Sequence, residues 1–337
     1  MAITFALMQK ILVIQTAFIG DAVLATGIVE KLHLIYPNAA IDFMVRKGNE
    51  GLFANHPFLN SVFVWDKTKN KYKHLFQLLQ QIRSTKYDVV INVQRFAATG
   101  FLTAFSKAKS TIGFDKNPFS FLFTTRVKHI FSNEENGLHE IERNQMLINS
   151  IASGEAMKPK LYPSNIDEQS ILAYNNEKFV CIAPASVWFT KQYPTHKWIE
   201  LVNEISTIKI YLLGAKSDAA MCDKIIAKSN HKNIESLAGK LSFLQSAALM
   251  KQAQMNYVND SAPMHFASSV NAPTTAVYCS TLPSFGYGPL SSIKFIVETA
   301  VQLDCKPCGL HGKAACPQQH FNCANTITIN QFKNLKI

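Results

Sequence analysis

The residues of this chain that could do chemistry stand directly after short apolar runs. Asp21, preceded by Gly20, follows residues 11–14, whose four apolar side chains predict a strand buried on both faces. Gly20 lets a ligand or another backbone come close, and Asp21 puts a carboxylate where open α/β sheets bind ligands. An acid at the start of a helix is equally often only its cap, and the spacing leaves both alternatives open. A dinucleotide loop is excluded, because the Gly-x-Gly-x-x-Gly spacing is absent.

A second chemical stretch, residues 183–194, also follows an apolar run. Its small and hydroxyl residues, Ser186 and Thr190 among them, could wrap an anion, and Lys191 stands just before a helix that begins near Pro194. A lysine here suits a phosphate as a point charge. A solvated loop lysine is the alternative.

The third stretch is residues 259–265, which follow the apolar run 255–258. Asp260 or Ser261 is expected to cap a helix, and Pro263 fits its first turn, where a missing N–H costs nothing. The free N–H groups of such a helix start, with Ala262 among its first residues, suit a pyrophosphate. His265 lies about one turn further, and a capped helix with a structural histidine is the alternative.

Two further groups of residues have competing interpretations. Gly214 and Asp218 follow residues 208–213, where a carboxylate could accept hydrogen bonds from ribose hydroxyls or simply cap a helix. Near the C-terminus four cysteines with two interleaved histidines could hold a structural zinc ion, although a plain cluster of packed thiols fits the irregular spacing better. These cysteines are Cys305, Cys308, Cys316 and Cys323.

The elements that must position these residues alternate between strand and helix patterns. This alternation predicts two α/β units, each with a parallel sheet that has helices on both faces. A linker near residues 158–169 is predicted to join them. The first half has predicted strands at 11–14, 41–45, 61–65, 87–92 and 111–114 and helices at 22–35, 72–82, 96–105 and 138–153. The second has strands at 179–183, 208–213, 255–258 and 274–278 and helices at 198–205, 219–227, 241–250 and 264–269.

The composition limits the classes of molecule that the protein is expected to bind. The net charge is +11, with the larger share of the excess in residues 1–160, and no nucleic-acid motif accompanies it. An anionic membrane face or a phosphorylated ligand is therefore favoured over nucleic acid. Residues 96–131 hold eight phenylalanines among basic residues, which could touch a lipid headgroup region or belong to the core. No apolar run could span a membrane, and residues 1–9 lack the features of a signal peptide, so a cytoplasmic protein is expected.

Together the motifs resemble the ADP-heptose:lipopolysaccharide heptosyltransferases of glycosyltransferase family 9. The resemblance rests on residues 19–26 (Ile-Gly-Asp-Ala-Val-Leu-Ala-Thr), on residues 191–194 (Lys-Gln-Tyr-Pro) before Trp198, and on residues 259–265, where Ala262 replaces the glycine usual in the family. The cysteine-rich end resembles the heptosyltransferase II branch. The resemblance implies an α/β protein of the GT-B fold, with two Rossmann-like parallel-sheet domains facing a cleft.

The resemblance also implies roles. Residues 1–160 would bind the acceptor, the anionic inner core of lipopolysaccharide, through Gly20, Arg95, Lys107 and Lys109, in peripheral contact with the cytoplasmic face of the inner membrane. Residues 161–337 would bind the ADP-sugar donor. Asp21 would be the general base of an inverting transfer, Lys191 and the helix start at Asp260 would stabilise the ADP leaving group, and no cofactor would be required. The donor set is Ser186, Thr190, Lys191, Gly214, Asp218, Asp260, Ser261, Ala262 and His265.

Two other classes of function compete with this one. A nucleotide-sugar epimerase of the same architecture would need acid and base residues around the sugar within the donor domain, and no acceptor surface. A non-catalytic protein that binds sugar nucleotides or glycolipids would need no carboxylate at position 21. Asp21 and the basic, phenylalanine-rich first half favour the glycosyltransferase.

Overall fold

The structure is a computed structural model that describes residues 9–131, 137–205 and 208–332. Within these ranges the chain divides into two compact units, residues 9–131 with 138–162, and residues 163–332. The division falls after Tyr162, two residues beyond the boundary expected from the sequence. The lead-in over residues 1–9 lies almost wholly outside the described residues.

The first unit is built on one sheet of six parallel strands, in the order β3-β2-β1-β4-β5-β6. β1 lies near its middle and pairs with β2 and β4, so its apolar residues Ile11, Leu12, Val13 and Ile14 are fully buried. The strands are β1 (Lys10–Ile14), β2 (Ala40–Arg46), β3 (Leu59–Trp65), β4 (Val89–Asn92), β5 (Ser110–Phe114) and β6 (Thr125–Val127).

Four α-helices accompany this sheet: α1 (Ile19–Ile35), α2 (Lys71–Thr85), α3 (Ala97–Ala104) and α4 (Glu140–Ile148). The chain after α4 belongs to this unit because it packs on α1. A Cβ on Gly27 of α1 would collide with the carbonyl oxygen of Met157, and Lys160 N donates to Thr26 Oγ1 at 2.9 Å. The first part of the predicted linker is therefore fixed against α1.

The second unit repeats the plan, with six parallel strands in the order β12-β11-β10-β7-β8-β9. Its strands are β7 (Phe179–Ala183), β8 (Lys209–Leu212), β9 (Ile234–Ser236), β10 (Asn256–Asn259), β11 (Thr274–Tyr278) and β12 (Lys294–Glu298). Its helices are α5 (Asn165–Ser170), α6 (Thr195–Glu204), α7 (Ala219–Lys228), α8 (Phe243–Gln252), α9 (Ala262–Ser269) and α10 (Asn322–Asn325). None of the helices in the described ranges has both the length and the apolar character needed to cross a membrane.

The two sheets confirm the predicted fold class, and the differences lie at the margins. Three edge strands, β6, β9 and β12, were not predicted: β6 and β9 have only three residues each, and β12 carries a charged residue at either end. The helix predicted at 138–153 is shorter at both ends, since α4 begins at Glu140 after a capping box of His139 and Glu142 and ends at Ile148. The end of the predicted linker is helical, because Ser164 and Asp167 form a capping box that starts α5.

Candidate active site

Asp21 lies in the first turn of α1, just beyond the carboxyl end of β1. The sequence predicted Gly20 in a tight turn and Asp21 at or next to the N-cap. The structure corrects this, because the helix begins at Ile19, with Phe18 as its N-cap and Ala22 N donating to Phe18 O at 3.1 Å. The partly exposed carboxylate of Asp21 stands at the positive end of a 17-residue helix, which favours its charged form.

The position of Asp21 is a topological switch point. The chain runs from β1 to β2 on one side and reaches β4 on the other, so the loops after β1 and β4 diverge at the carboxyl edge. Such a crevice is where open α/β sheets bind ligands. Gly20 and Asp21 follow β1, and the exposed Arg95 follows β4. Three of the residues predicted for catalysis and acceptor binding therefore share this edge.

The other two predicted acceptor residues lie elsewhere in the first unit. Lys107 and Lys109 directly precede β5, so they stand at the amino edge of the sheet, opposite Asp21. Lys109 Nζ pairs with Asp88 Oδ1 at 2.7 Å, and its side chain is 76% exposed. The structure does not bring these two lysines to the carboxylate.

In the second unit Lys191 forms an ion pair with Asp260. Lys191 Nζ lies 2.7 Å from Asp260 Oδ2, and the two side chains are only 15% and 7% exposed. Thr281 Oγ1 donates to the same Asp260 oxygen at 2.6 Å. Lys191 follows β7 and Asp260 follows β10, neighbours at the switch point of the second sheet. Lys191 is therefore not the solvated loop lysine that the sequence left open as an alternative. It is a largely buried cation that is paired with a carboxylate.

The carboxylate of Asp260 is engaged by this pair and does not cap α9. Ser261 occupies the N-cap position, and its side chain makes no capping hydrogen bond. Ala262 and Pro263 are the first two residues of the helix, as the sequence predicted for the proline. Pro263 has no N–H and Met264 N donates to Ser261 O at 3.0 Å, so among the first three residues of this helix the N–H of Ala262 is the one available to an anion. His265 lies in the same turn region and is 5% exposed.

The loop that carries Lys191 is held from both sides. Asn259, fully buried at the end of β10, accepts from Tyr193 N at 2.9 Å and donates from Nδ2 to Pro184 O at 2.8 Å. Ser186 lies within this loop, and its carbonyl accepts from Gln192 Nε2 at 2.6 Å. The two switch-point loops therefore hold each other in one conformation.

The C-terminal segment forms the other support. Thr190, which is 1% exposed, accepts from Lys313 N at 2.7 Å and from Ser280 Oγ at 3.0 Å. Gly312 has φ +76, and a Cβ there would lie 2.8 Å from Lys191 Cγ. The sequence analysis did not include Ser280, Thr281 or Lys313 among the donor-site residues. Their only signal was that the two hydroxyl residues follow the carboxyl end of β11.

The side chain of Asp218 forms its hydrogen bond within its own loop. Its Oδ2 accepts from Ala215 N at 2.8 Å, and a Cβ on Gly214 would lie 2.9 Å from Asp218 Cβ. These contacts are those of a residue that closes the turn after β8; Asp218 stands at the N-cap position of α7, but its side chain makes no capping hydrogen bond to that helix. Ribose binding by this carboxylate remains a prediction.

The four C-terminal cysteines form a thiol cluster without the geometry of a metal centre. Cys305 Sγ lies 3.9 Å from His320 Nε2, and Cys308 Sγ donates to the carbonyl of Cys305 at 3.3 Å. Burial, with Cys308 and Cys316 nearby, raises the pKa of Cys323 to about 11. Across the ranges that the structure describes, no three His, Cys, Asp or Glu side chains are arranged to hold a metal ion. The residues therefore do not fit the structural zinc considered from the sequence, and metal analysis of protein purified without chelator tests this.

Two Rossmann-like units, each with one six-stranded parallel sheet, are the components of the GT-B fold class. Comparison with known proteins makes the assignment narrower. Residues 75–316 match the family model described as glycosyltransferase family 9 (heptosyltransferase), which is more than half of the chain. The chain belongs to this family, and the protein is a glycosyltransferase.

Individual relatives agree with this assignment. Lipopolysaccharide heptosyltransferase 3 of Escherichia coli is 22% identical over 281 residues, covering 78% of this chain and 82% of the relative. A family 9 glycosyltransferase from Veillonella parvula superposes with a TM-score of 0.85 at 18% identity, over 99% of this chain and 97% of that one. The E. coli ADP-heptose lipopolysaccharide heptosyltransferase II superposes with a TM-score of 0.75 at 20% identity, over 96% and 100%. These names belong to different branches, so the II branch stays a prediction.

Proposed function

We propose that this glycosyltransferase moves a heptose from an ADP-heptose donor to the inner core of lipopolysaccharide, with Asp21 as the general base. The observation that carries the proposal is the Lys191–Asp260 pair at one switch point, together with Asp21 at the other. The relatives named above support the choice of sugar and acceptor, since their names contain ADP-heptose and lipopolysaccharide.

In the proposed reaction the second unit holds the donor diphosphate. Lys191 supplies a positive charge whose position is fixed by Asp260, and the N–H of Ala262 at the start of α9 supplies a further donor. As the bond between the anomeric carbon and the diphosphate oxygen breaks, the electron pair leaves with ADP. Donors that are already in place stabilise this growing charge without reorganisation.

The proposed role of Asp21 is to remove one proton. The acceptor hydroxyl oxygen attacks the anomeric carbon from the face opposite ADP, and its proton passes to a carboxylate oxygen of Asp21. One bond forms and one breaks in a single displacement, so the configuration at the anomeric carbon inverts. The charged carboxylate that this step needs is favoured by its place in the first turn of α1.

We further propose that the protein meets its acceptor at the cytoplasmic face of the inner membrane by peripheral contact. The Phe-rich segment 96–131 contributes both to the core and to the surface: Phe114 and Phe123 are buried, whereas Phe96 and Phe121 are 66% and 69% exposed. Exposed aromatic side chains beside lysines are typical of surfaces that bind anionic lipid headgroups. This observation supports the membrane contact.

The test is a donor and acceptor screen with purified full-length protein. ADP release is followed with ADP-heptose and with ADP-glucose, each with and without a core-lipid acceptor that ends in the inner-core sugars. The proposal predicts ADP release only when ADP-heptose and the acceptor are both present. ADP release from ADP-glucose, or ADP release that is unchanged when the acceptor is left out, would contradict the proposal.

A further inference from the structure

The second unit contains a cavity of about 430 Å³ whose lining includes none of the residues predicted to bind the donor. It lies between the loop before α6 and the helices α6, α7 and α10. Phe189 of the loop lines the cavity, whereas Lys191, two positions later, pairs with Asp260. We call it the lysine cavity, after Lys224 and Lys228 of α7, which also line it.

One wall of the lysine cavity is aromatic. The rings of Phe189 and Phe321 pack with their centroids 5.1 Å apart and their planes tilted by 31°, and Phe189 remains 47% exposed. Phe321 has φ +48, a left-handed backbone conformation that bulky residues rarely adopt. Such conformations persist only where the surroundings impose them, and they cluster at binding and active sites. Here the conformation holds an aromatic ring at the wall of the cavity.

The lining continues with further apolar surface. Pro194 precedes α6, Ile199 lies within it, and the ring of Tyr193 is buried, with the whole residue only 1% exposed. A small inorganic anion would leave this apolar surface uncovered. The ligand that fits the cavity therefore has an apolar or aromatic body, as ligands of mostly apolar pockets do.

The charged side chains at the cavity are all basic. Lys224 and Lys228 are exposed and lie one turn apart on α7, where like charges repel each other, and His196 of α6 also lines the cavity. Within the described part of the chain neither lysine takes part in an ion pair. The carboxylate of Glu200 on α6 is engaged by Lys197 at 3.1 Å. A bound anion would relieve the repulsion between the two lysines.

We propose that the lysine cavity binds a nucleoside monophosphate at a second site, separate from that of the donor. The base stacks on the wall of Phe189 and Phe321, and the phosphate pairs with Lys224 and Lys228. Every base has a flat face that stacks on aromatic side chains, and a lysine suits a phosphate as a point charge. The volume lies in the range of sites for small organic ligands. The proposal does not depend on which sugar or acceptor the enzyme uses.

Photolabelling locates the ligand directly and needs no turnover. Full-length protein is irradiated with 8-azido-AMP, and the labelled peptides are identified by mass spectrometry. We expect label on peptides that contain Phe189 or Phe321, and we expect excess AMP to suppress it. Label confined to residues 214–218 and 259–265 would mean that the nucleotide binds only at the donor site, and it would overturn the proposal.

Lysine variants test the phosphate contact. Lys224→Met and Lys228→Met should each lower the labelling of the cavity peptides about tenfold at a concentration of 8-azido-AMP far below saturation, because each removes one charge-assisted contact. Lys232→Met is the matched control, since Lys232 is exposed shortly after α7 and does not line the cavity. Equal labelling of the cavity peptides in all three variants, with folding shown by unchanged thermal unfolding, would contradict the proposal.

Competition experiments identify the class of ligand. Label at the cavity peptides is measured against increasing AMP, adenosine, inorganic phosphate, glucose 6-phosphate and dihexanoyl phosphatidylglycerol. We expect AMP to protect at concentrations about tenfold lower than any of the others, because it alone combines a base with a phosphate. Protection by glucose 6-phosphate as good as that by AMP would make this a sugar-phosphate site. Protection by the short-chain lipid as good as that by AMP would make it a lipid headgroup site, and either result would overturn the proposal.

Discussion

Lys191 Nζ lies 2.7 Å from Asp260 Oδ2 and thereby ties the loop after β7 to the loop after β10. The sequence did not predict that these two residues form an ion pair, because 69 positions separate them along the chain. The pair fixes one positive charge beside the start of α9; Thr281 donates to Asp260, and Lys313 N donates to Thr190, the residue before Lys191. This fixed cation is the basis of the donor half of the proposed reaction.

Removing the cation should therefore affect both donor binding and the chemical step. For Lys191→Met we expect the dissociation constant of ADP-heptose to rise about 10- to 100-fold and kcat to fall, because the variant loses the phosphate contact and leaves Asp260 buried without its partner. Isothermal titration with the donor and single-turnover kinetics measure the two effects. Lys197→Met is the matched control, since Lys197 pairs with the 49% exposed Glu200. If the dissociation constant of ADP-heptose and kcat both stay within a few-fold of the unmodified protein, Lys191 takes no part in donor binding or in the chemical step.

Membrane attachment is predicted to be reversible and sensitive to salt. Each basic residue near an anionic surface contributes about 1 kcal/mol, and the attraction fades within a Debye length. We expect the protein to sediment with vesicles containing phosphatidylglycerol at low salt and to leave them at high salt. Substituting Lys107, Lys109 and Lys116 by Glu should remove most of the vesicle binding and leave the dissociation constant of ADP-heptose unchanged.

The matched control for that triple variant is the same charge change in the second unit, at Lys224, Lys228 and Lys232. It should leave vesicle binding nearly intact if the first unit makes the contact. Binding that survives both high salt and the first triple change would instead assign the contact to exposed aromatic residues such as Phe96 and Phe121. Equal losses in both triple variants would mean that net charge alone is responsible.

The sequence predicted those features that depend on neighbouring residues. The apolar run of β1, the Pro263 at the start of α9 and the alternation of strands and helices all express local preferences, and the structure confirms them. The start of α1 was misplaced because its N-cap, Phe18, offers no side-chain capping signal. The edge strands β9 and β12 were missed because most of their residues are at least partly exposed, so neither has the sequence pattern of a fully buried strand.

The features that the sequence could not predict depend on residues distant along the chain. Gln94 and Thr16 are 78 positions apart, and only the pairing of β1 with β4 brings them together. Lys313 reaches Thr190 across 123 positions. The two predicted acceptor lysines, Lys107 and Lys109, were chosen as basic residues among the phenylalanines of segment 96–131, and strand direction places them at the opposite edge from Asp21. Charge is visible in a sequence, whereas the edge on which it lies is set by topology.

The stability of the first unit should also depend on pH, through His56. This histidine is 6% exposed, with Glu30 Oε1 3.5 Å from its Nε2, and it packs near Tyr162, His33 and Lys160. Burial, followed by the charges of His33 and Lys160, lowers its pKa to about 4. The unfolded chain takes up this proton near pH 6.5 and the folded chain does not, so stability should fall as the pH falls through that range.

Between pH 8 and pH 5 the His56 contribution amounts to about 2 kcal/mol. Urea unfolding at several pH values measures it, and His56→Gln should flatten the dependence whatever its effect on stability at pH 8. An equally steep fall in His56→Gln would assign the dependence to other groups, of which the half-buried His129 is one.

The measurement that tests the central claim most directly is single-turnover transfer by Asp21→Asn, with donor binding measured on the same sample. A general base contributes roughly 10²- to 10⁴-fold, so we expect transfer to slow by that factor, while the dissociation constant of ADP-heptose stays within about twofold because Lys191 and α9 are untouched. Asp88→Asn, at the amino edge of the same sheet, is the control and should transfer at the normal rate. Transfer by Asp21→Asn at the unmodified rate, or a loss of donor affinity that accounts for the whole effect, would contradict the assignment of Asp21 as the base.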